Sequence, residues 1–225
     1  MSFLNAAMAV LWKDLRTELR TKERLSTMCF FALLVVLIFN FAFESGNGSL
    51  QSAAPGIFWV AVLFSGLMGL TRSFNQEREN DALMGFLLTP ADRGAFYLGK
   101  TAANAITMAV MEILLLPLLA IFFNIPIAEH ILRLIPVCFF GTLGFAAVGT
   151  LFAAMSINTR LQEALLPMLT LPILVPSILA AVEATSGVLA GEPLADLAQW
   201  LRILVAFSLL FLAACLLLFD YVVEE

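Results

Sequence analysis

The chain has 225 residues, of which 61% are apolar and 13% charged, with a formal net charge of −5 at pH 7. Soluble proteins carry roughly 25% charged residues, so this chain lacks the polar surface that a water-soluble globule needs. Disorder, a secreted disulfide scaffold and a nucleic-acid-binding domain are poorly supported on the same grounds, which leaves a polytopic membrane protein.

The apolar runs decide the class. About 20 mostly apolar residues cross about 30 Å of hydrocarbon as a helix. Six stretches qualify in chain order: Leu25 to Phe43, the part of Ser45 to Thr71 from near Pro55, Thr101 to Phe123, Leu134 to Thr159, Ala164 to Val182, and Ile203 to Phe219 extended back to Trp200. The runs are continuous rather than alternating, which predicts an all-α bundle instead of a barrel. Residues 1–24 form a flanking interfacial unit, and 25–225 form the six-helix membrane domain with its longest connection at 72–100.

Orientation follows from Lys and Arg. Lys13, Arg16, Arg20, Lys22 and Arg24 precede the first span, Arg72, Arg78, Arg93 and Lys100 follow the second, and Arg160 follows the fourth. Only Arg133 and Arg202 fall on the other side. The bias and the even span number predict both termini in the cytoplasm. The first run lacks a small-residue cleavage site and is preceded by 24 residues, so it is expected to be a retained anchor. Cys29, Cys138 and Cys215 all fall within spans without CxxC spacing and read as packing residues.

The segment FLNAAMAVLWKDLRTELR repeats Leu4, Met8, Leu11, Leu15 and Leu19 at three- and four-residue steps. That predicts an amphipathic helix on the membrane surface, with Trp12 at headgroup depth.

The connection RSFNQERENDALMGFLLTPADRGAFYLGK is the most informative stretch. Ser73 with Gln76 has capping-box spacing, which predicts a helix starting near Ser73 or Asn75. Glu77, Glu79 and Asp81 then occupy its early turns, where the helix dipole favours acids. Leu83, Phe86 and Leu87 form its apolar side, and Gly85 and Pro90 weaken and end it. Thr89, Pro90 and Asp92 read as the cap, first and third residues of a second helix that passes Tyr97 and Lys100 into the third span.

These residues carry a family resemblance. A charged FNQEREN, then DALMGFLLTP, then ADRGAFYLGK, placed after the second of six spans, resembles permease subunits of type-2 ABC exporters. Together with KDLRTELRTKER before the first span and LIFNFAF at its end, the chain resembles the CcmB family, the permease-like subunit of a bacterial haem-handling system for cytochrome c maturation. The resemblance implies an inner-membrane homodimer docked on two copies of a cytoplasmic ABC ATPase. It also implies association with a haem-delivery membrane protein and a small accessory membrane subunit. The coupling surface toward the ATPase would comprise Glu77, Arg78, Glu79, Leu83, Phe86, Leu87, Pro90 and Arg93. ATP would be bound by the partner, haem would be a substrate, and this chain would carry no cofactor or metal of its own.

Other features of the sequence have plainer readings beside the functional ones. GAFYLGKT (Gly94 to Thr101) matches the phosphate-loop pattern, but TPADR rather than a buried strand precedes it and bulky Phe96 and Tyr97 fill it, so a helix entering the membrane is expected. Glu112 lies 12 residues, about 18 Å, beyond Lys100. An intramembrane acid there is either a neutral carboxyl bonded to a neighbouring helix or a group on the transport or coupling path. His130, the single histidine, could ligate haem iron or be a plain interfacial residue. Pro167, Pro172 and Pro176 are expected to kink and break up the fifth span. The segment ATSGVLAGEPLADLAQW after it is expected to hold short re-entrant helices. The small residues of the fourth span, among them Gly141, Gly144 and Gly149, predict tight helix packing.

Three functions compete at this point. One is the membrane subunit of an ABC exporter, for haem or for another substrate such as a lipid, glycan or drug. A membrane enzyme would need a catalytic constellation, and none is visible. The third is a scaffold whose ATPase partner remodels a haem-protein complex without passing haem through this chain.

Overall fold

A computed structural model describes residues 2–44, 50–80, 82–89, 91–157, 159, 162–193 and 195–222. Asp81, Pro90 and Arg160 lie outside the described residues, as do the side chains of Leu83 and Leu87. Among the described residues the secondary structure is all α: α1 (Phe3–Thr21), α2 (Glu23–Glu44), α3 (Leu50–Glu79), α4 (Ala82–Leu87), α5 (Arg93–Phe123), α6 (Ile127–Ser156), α7 (Gln162–Leu189) and α8 (Ala198–Val222). Six of these, α2, α3 and α5 to α8, are long and apolar enough to cross a membrane, and they coincide with the six runs read from the sequence.

In the bundle, α6 is central, packed against α3, α5, α7 and α8, while α3 lies against α2, α5 and α7. Small residues permit this closeness. The Cβ that Gly141 lacks would collide with the Trp59 ring, and that of Gly149 with Leu70. The Trp59 indole donates to Thr185 Oγ1 at 2.9 Å, fixing α3 to α7. Outward-facing Phe30, Ile38, Ile113, Ile121, Leu132, Phe139, Leu210 and Leu217 remain exposed, as lipid-facing positions must be in an apolar solvent.

The amphipathic helix expected at the N-terminus is α1. Ser2 caps it by accepting from the Asn5 N–H. Lys22 ends it in the left-handed region at φ 54°, with its N–H on the Glu18 carbonyl. Leu4, Met8, Trp12 and Leu19 stay exposed, whereas Ala6, Val10 and Asp14 are buried. The buried edge packs on α5. Gly99 makes that approach possible, because a Cβ there would sit 2.5 Å from the Ala7 carbonyl oxygen.

Four local expectations are corrected. No helix starts at Ser73 or Asn75: α3 runs unbroken to Glu79. Ser73, Phe74 and Glu77 are buried, and tertiary packing holds the turn that a local cap would have interrupted. The helix into the third span starts one turn later than Thr89 would have it. Asp92 is its N-cap, accepting from Gly94 N–H at 2.8 Å. The three prolines of α7 do not divide it; it is one helix of 28 residues. Finally, no re-entrant helix occurs among the described residues between Leu189 and Ala198, where the chain makes turns only.

Candidate functional site

With 30 and 31 residues, α3 and α5 are each about 45 Å long at 1.5 Å per residue, well beyond the hydrocarbon thickness. The excess is used at the end of the bundle that carries both chain termini, where the Arg93 guanidinium donates to the Asp220 carbonyl of α8 at 3.3 Å. There α1, the end of α3 and the start of α5 meet around Lys100.

Lys100 is only 1% exposed. Its ammonium lies 2.8 Å from Asp14 Oδ2 and 2.5 Å from Glu77 Oε1, and donates to the Ser73 carbonyl at 3.4 Å. The Phe74 ring lies beneath it, 5.3 Å away. Lys13 completes the group at 2.5 Å from Glu77 and 3.2 Å from Asp14, with its side chain still 44% exposed. Two lysines therefore face two carboxylates, and the cluster is formally neutral. Burial by itself would pull the Lys13 ammonium down, but Asp14 and Glu77 outweigh it and hold it above the usual lysine value. Burial would likewise push Asp14 up, but Lys100 and Lys13 outweigh it and hold the carboxyl below the usual aspartate range.

A second polar group stands beside the first. Glu18 of α1 accepts from the Leu25 N–H at 2.8 Å, satisfying a free amide in the first turn of α2. It also faces Arg24 Nε at 3.6 Å. The buried Arg24 guanidinium reaches Asn104 Oδ1 at 2.8 Å and bonds Thr107, and Asn104 passes the chain on to Thr150 of α6 at 2.9 Å. The α1–α2 corner is thereby fastened to α5 and α6.

Of the coupling residues read from the sequence, Glu77 is buried in the cluster, not exposed on an acidic face. Arg78 and Glu79 are exposed, and Arg78 donates to the Ile157 carbonyl at the end of α6, at 3.3 Å. Phe86 is half-buried. Its ring lies 5.2 Å from Phe96, which stacks on Phe219 of α8. Phe86 thus tethers the 82–89 segment to the bundle. Among the described side chains of the segment, the exposed large apolar group is Leu88, 83% accessible. Between the segment and α1 lies a groove of about 280 Å³, lined by Ala6, Ala9, Val10, Lys13, Phe86, Thr89 and Ala91.

The other two candidates sit elsewhere. Glu112 is buried in the middle of α5, where the Thr142 hydroxyl of α6 donates to it. His130 is half-buried in the first turn of α6, and it joins no cluster of three or more metal-ligating side chains among the described residues. The eight residues of GAFYLGKT all lie within helix α5, and their lysine is taken up by Asp14 and Glu77.

Asp14, Arg24, Leu88 and Lys100 were not singled out as site residues from the sequence. For Asp14 a signal existed: Ala6, Val10 and Asp14 recur every four residues and form a second stripe. The stronger leucine stripe of the same helix masked it.

Fold and site together define a multi-pass, all-α membrane protein whose non-spanning elements gather at one end around a buried ion cluster. The family model described as CcmB protein matches residues 5–221, and the chain belongs to the CcmB family. It is 26% identical over 205 residues to heme exporter protein B of Pseudomonas aeruginosa, covering 91% of this chain and 92% of that one. It is 30% identical over 194 residues to heme exporter protein B of Rhodobacter capsulatus (84% and 88%), and 28% identical over 190 residues to that of Paracoccus denitrificans (84% and 87%).

Proposed function

We propose that this chain is the membrane subunit of a haem-exporter ABC complex serving cytochrome c maturation in the bacterial inner membrane. Membership of the CcmB family and the name shared by its full-length relatives support the reading. Both termini lie in the cytoplasm, and the fold is that of a type-2 exporter permease working as a homodimer. The chain hydrolyses nothing itself. A partner ATPase binds ATP and grips the segment between α3 and α5 through Leu88 and its neighbours, including Leu83, Leu87 and Pro90, with Arg78, Glu79 and Arg93 at the rim. A haem-delivery membrane protein and a small accessory subunit complete the complex.

The observation that carries the coupling is the exposure of Leu88 on a short segment whose two flanking helices run directly into the membrane. ATP-driven closure of the partner pulls that segment, and α3 and α5 carry the displacement into the bundle as rigid rods. Glu112, at mid-membrane on α5, is positioned to respond to it.

The described cavities inside the spans favour a second reading. One is bounded by Trp59, Gly141 and Leu174, the other by Phe58, Leu119 and Leu134, and each holds about 10 Å³. Both are well below the size of ligand pockets, about 300–1,000 Å³; in the second reading haem stays on a partner that the ATPase cycle releases. The two readings separate in proteoliposomes holding the complete complex. Export predicts ATP-dependent haem movement across the bilayer. Remodelling predicts ATP-dependent release of a haem-loaded chaperone without it. ATP turnover accompanied by neither removes both.

A further inference from the structure

We propose that Asp14 and Lys100 are the positioning pair of a rigid joint that makes α1, the end of α3 and the start of α5 a single mechanical unit. The Glu77–Lys100 contact, at 2.5 Å, lies across the base of the 80–92 segment and closes it. Force on the segment therefore reaches α3 and α5 together instead of spreading them apart. Asp14, 2.8 Å from the same ammonium, adds α1 to the unit. Burial makes the joint stiff: all three groups are withdrawn from water, so no solvent molecule can replace a lost partner cheaply. Lys13 is different. It also joins α1 to α3, through Glu77 at 2.5 Å, but its side chain is 44% exposed, so water can replace it and it adds less to the joint than the buried Lys100. The Glu18 contacts with Arg24 and Leu25 secure the far end of α1, and the helix is fixed at two points along its length.

The proposal rests on the proposed function only for the identity of what pulls on the segment. Its test uses the isolated full-length protein in lipid nanodiscs without any ATPase, so the joint and the docking reading fail separately. Cys29, Cys138 and Cys215 are replaced, and spin labels are placed at the exposed positions Thr17 on α1 and Glu79 on α3. Pulsed electron resonance then reads the distribution of distances between them. The unsubstituted joint gives one narrow distribution. Asp14→Asn and Lys100→Met broaden it about twofold, as expected for loss of a buried ionic partner, and Lys13→Gln leaves it narrow. Thr142→Val, which weakens the bundle far from the joint, also leaves it narrow. A broad distribution with the joint intact, or an unchanged one in Asp14→Asn, overturns the proposal. Where Lys100→Met fails to accumulate, Asp14→Asn, which keeps the size of the side chain, carries the test.

Discussion

Replacing Lys100 with methionine isolates the energetic weight of the ion cluster. Methionine keeps most of the apolar stem and removes the charge. Asp14 and Glu77 are then left facing Lys13, which is half in solvent. Breaking a buried ion pair by removing one partner costs about 3–5 kcal/mol. The stranded carboxylate has an escape, which is to take up a proton. For an aspartate with an unfolded value near 3.9, that costs about 4 kcal/mol at pH 7 and about 1.5 kcal/mol at pH 5. The expected loss is therefore about 3–4 kcal/mol at pH 7, shrinking toward about 1.5 kcal/mol at pH 5. The sign differs from that of the intact protein. There Asp14 is held below its ordinary value, so its contribution is present above the unfolded value and is lost as the pH falls through the folded one. In Lys100→Met the folded carboxyl is raised instead, and stability falls as the pH rises from about 4 toward 7. Equilibrium unfolding in mixed micelles at pH 5 and pH 7 measures both gaps. Equal stability of the two proteins at pH 7, or a gap that does not change with pH, would refute the reasoning.

Three further outcomes follow from single contacts. Glu112→Gln should keep the bond from Thr142, accumulate normally and lose at least most of the ATP-dependent function; full function in reconstituted complexes removes Glu112 from the mechanism. Gly141→Ala drives a methyl group into the Trp59 ring, which its bond to Thr185 holds in place. It should cost about 1–3 kcal/mol in the same unfolding assay, and an unchanged midpoint would mean that α3 and α6 can separate freely. Lys22→Gly relieves a left-handed residue at the α1–α2 corner and should stabilise by up to about 1 kcal/mol. A loss of stability there would assign the lysine side chain a contact of its own.

The spans were legible because the lipid requirement is written in composition and length: each of the six runs is a helix, and α5 continues back through Lys100 as its pattern implied. The local breaks were not legible. Ser73 has the chemistry of a cap, yet it is buried beside Lys100, and tertiary contacts decide the helix end. Pro167, Pro172 and Pro176 remove amide donors, but a single continuous α7 accommodates them. The site was legible in part. The charged segment stands out in the sequence, where Glu77 reads as part of a coupling surface toward the ATPase. Lys100 and Glu77 instead neutralise each other inside the protein, and no local pattern announces a pairing between residues 14, 77 and 100. Phe86 has the same lesson on the apolar side. The sequence places it on the apolar side of the coupling surface; its ring also packs on Phe96, so Phe86→Asp would unseat the segment as well as alter any contact surface.

The coupling claim is tested most directly at Leu88. A photo-cross-linking amino acid placed there in the complete complex should join this chain to the ABC ATPase subunit, identified by mass spectrometry, and the adduct should persist through ATP turnover. Absence of that adduct from a complex that still contains the ATPase and still turns over ATP would contradict the account.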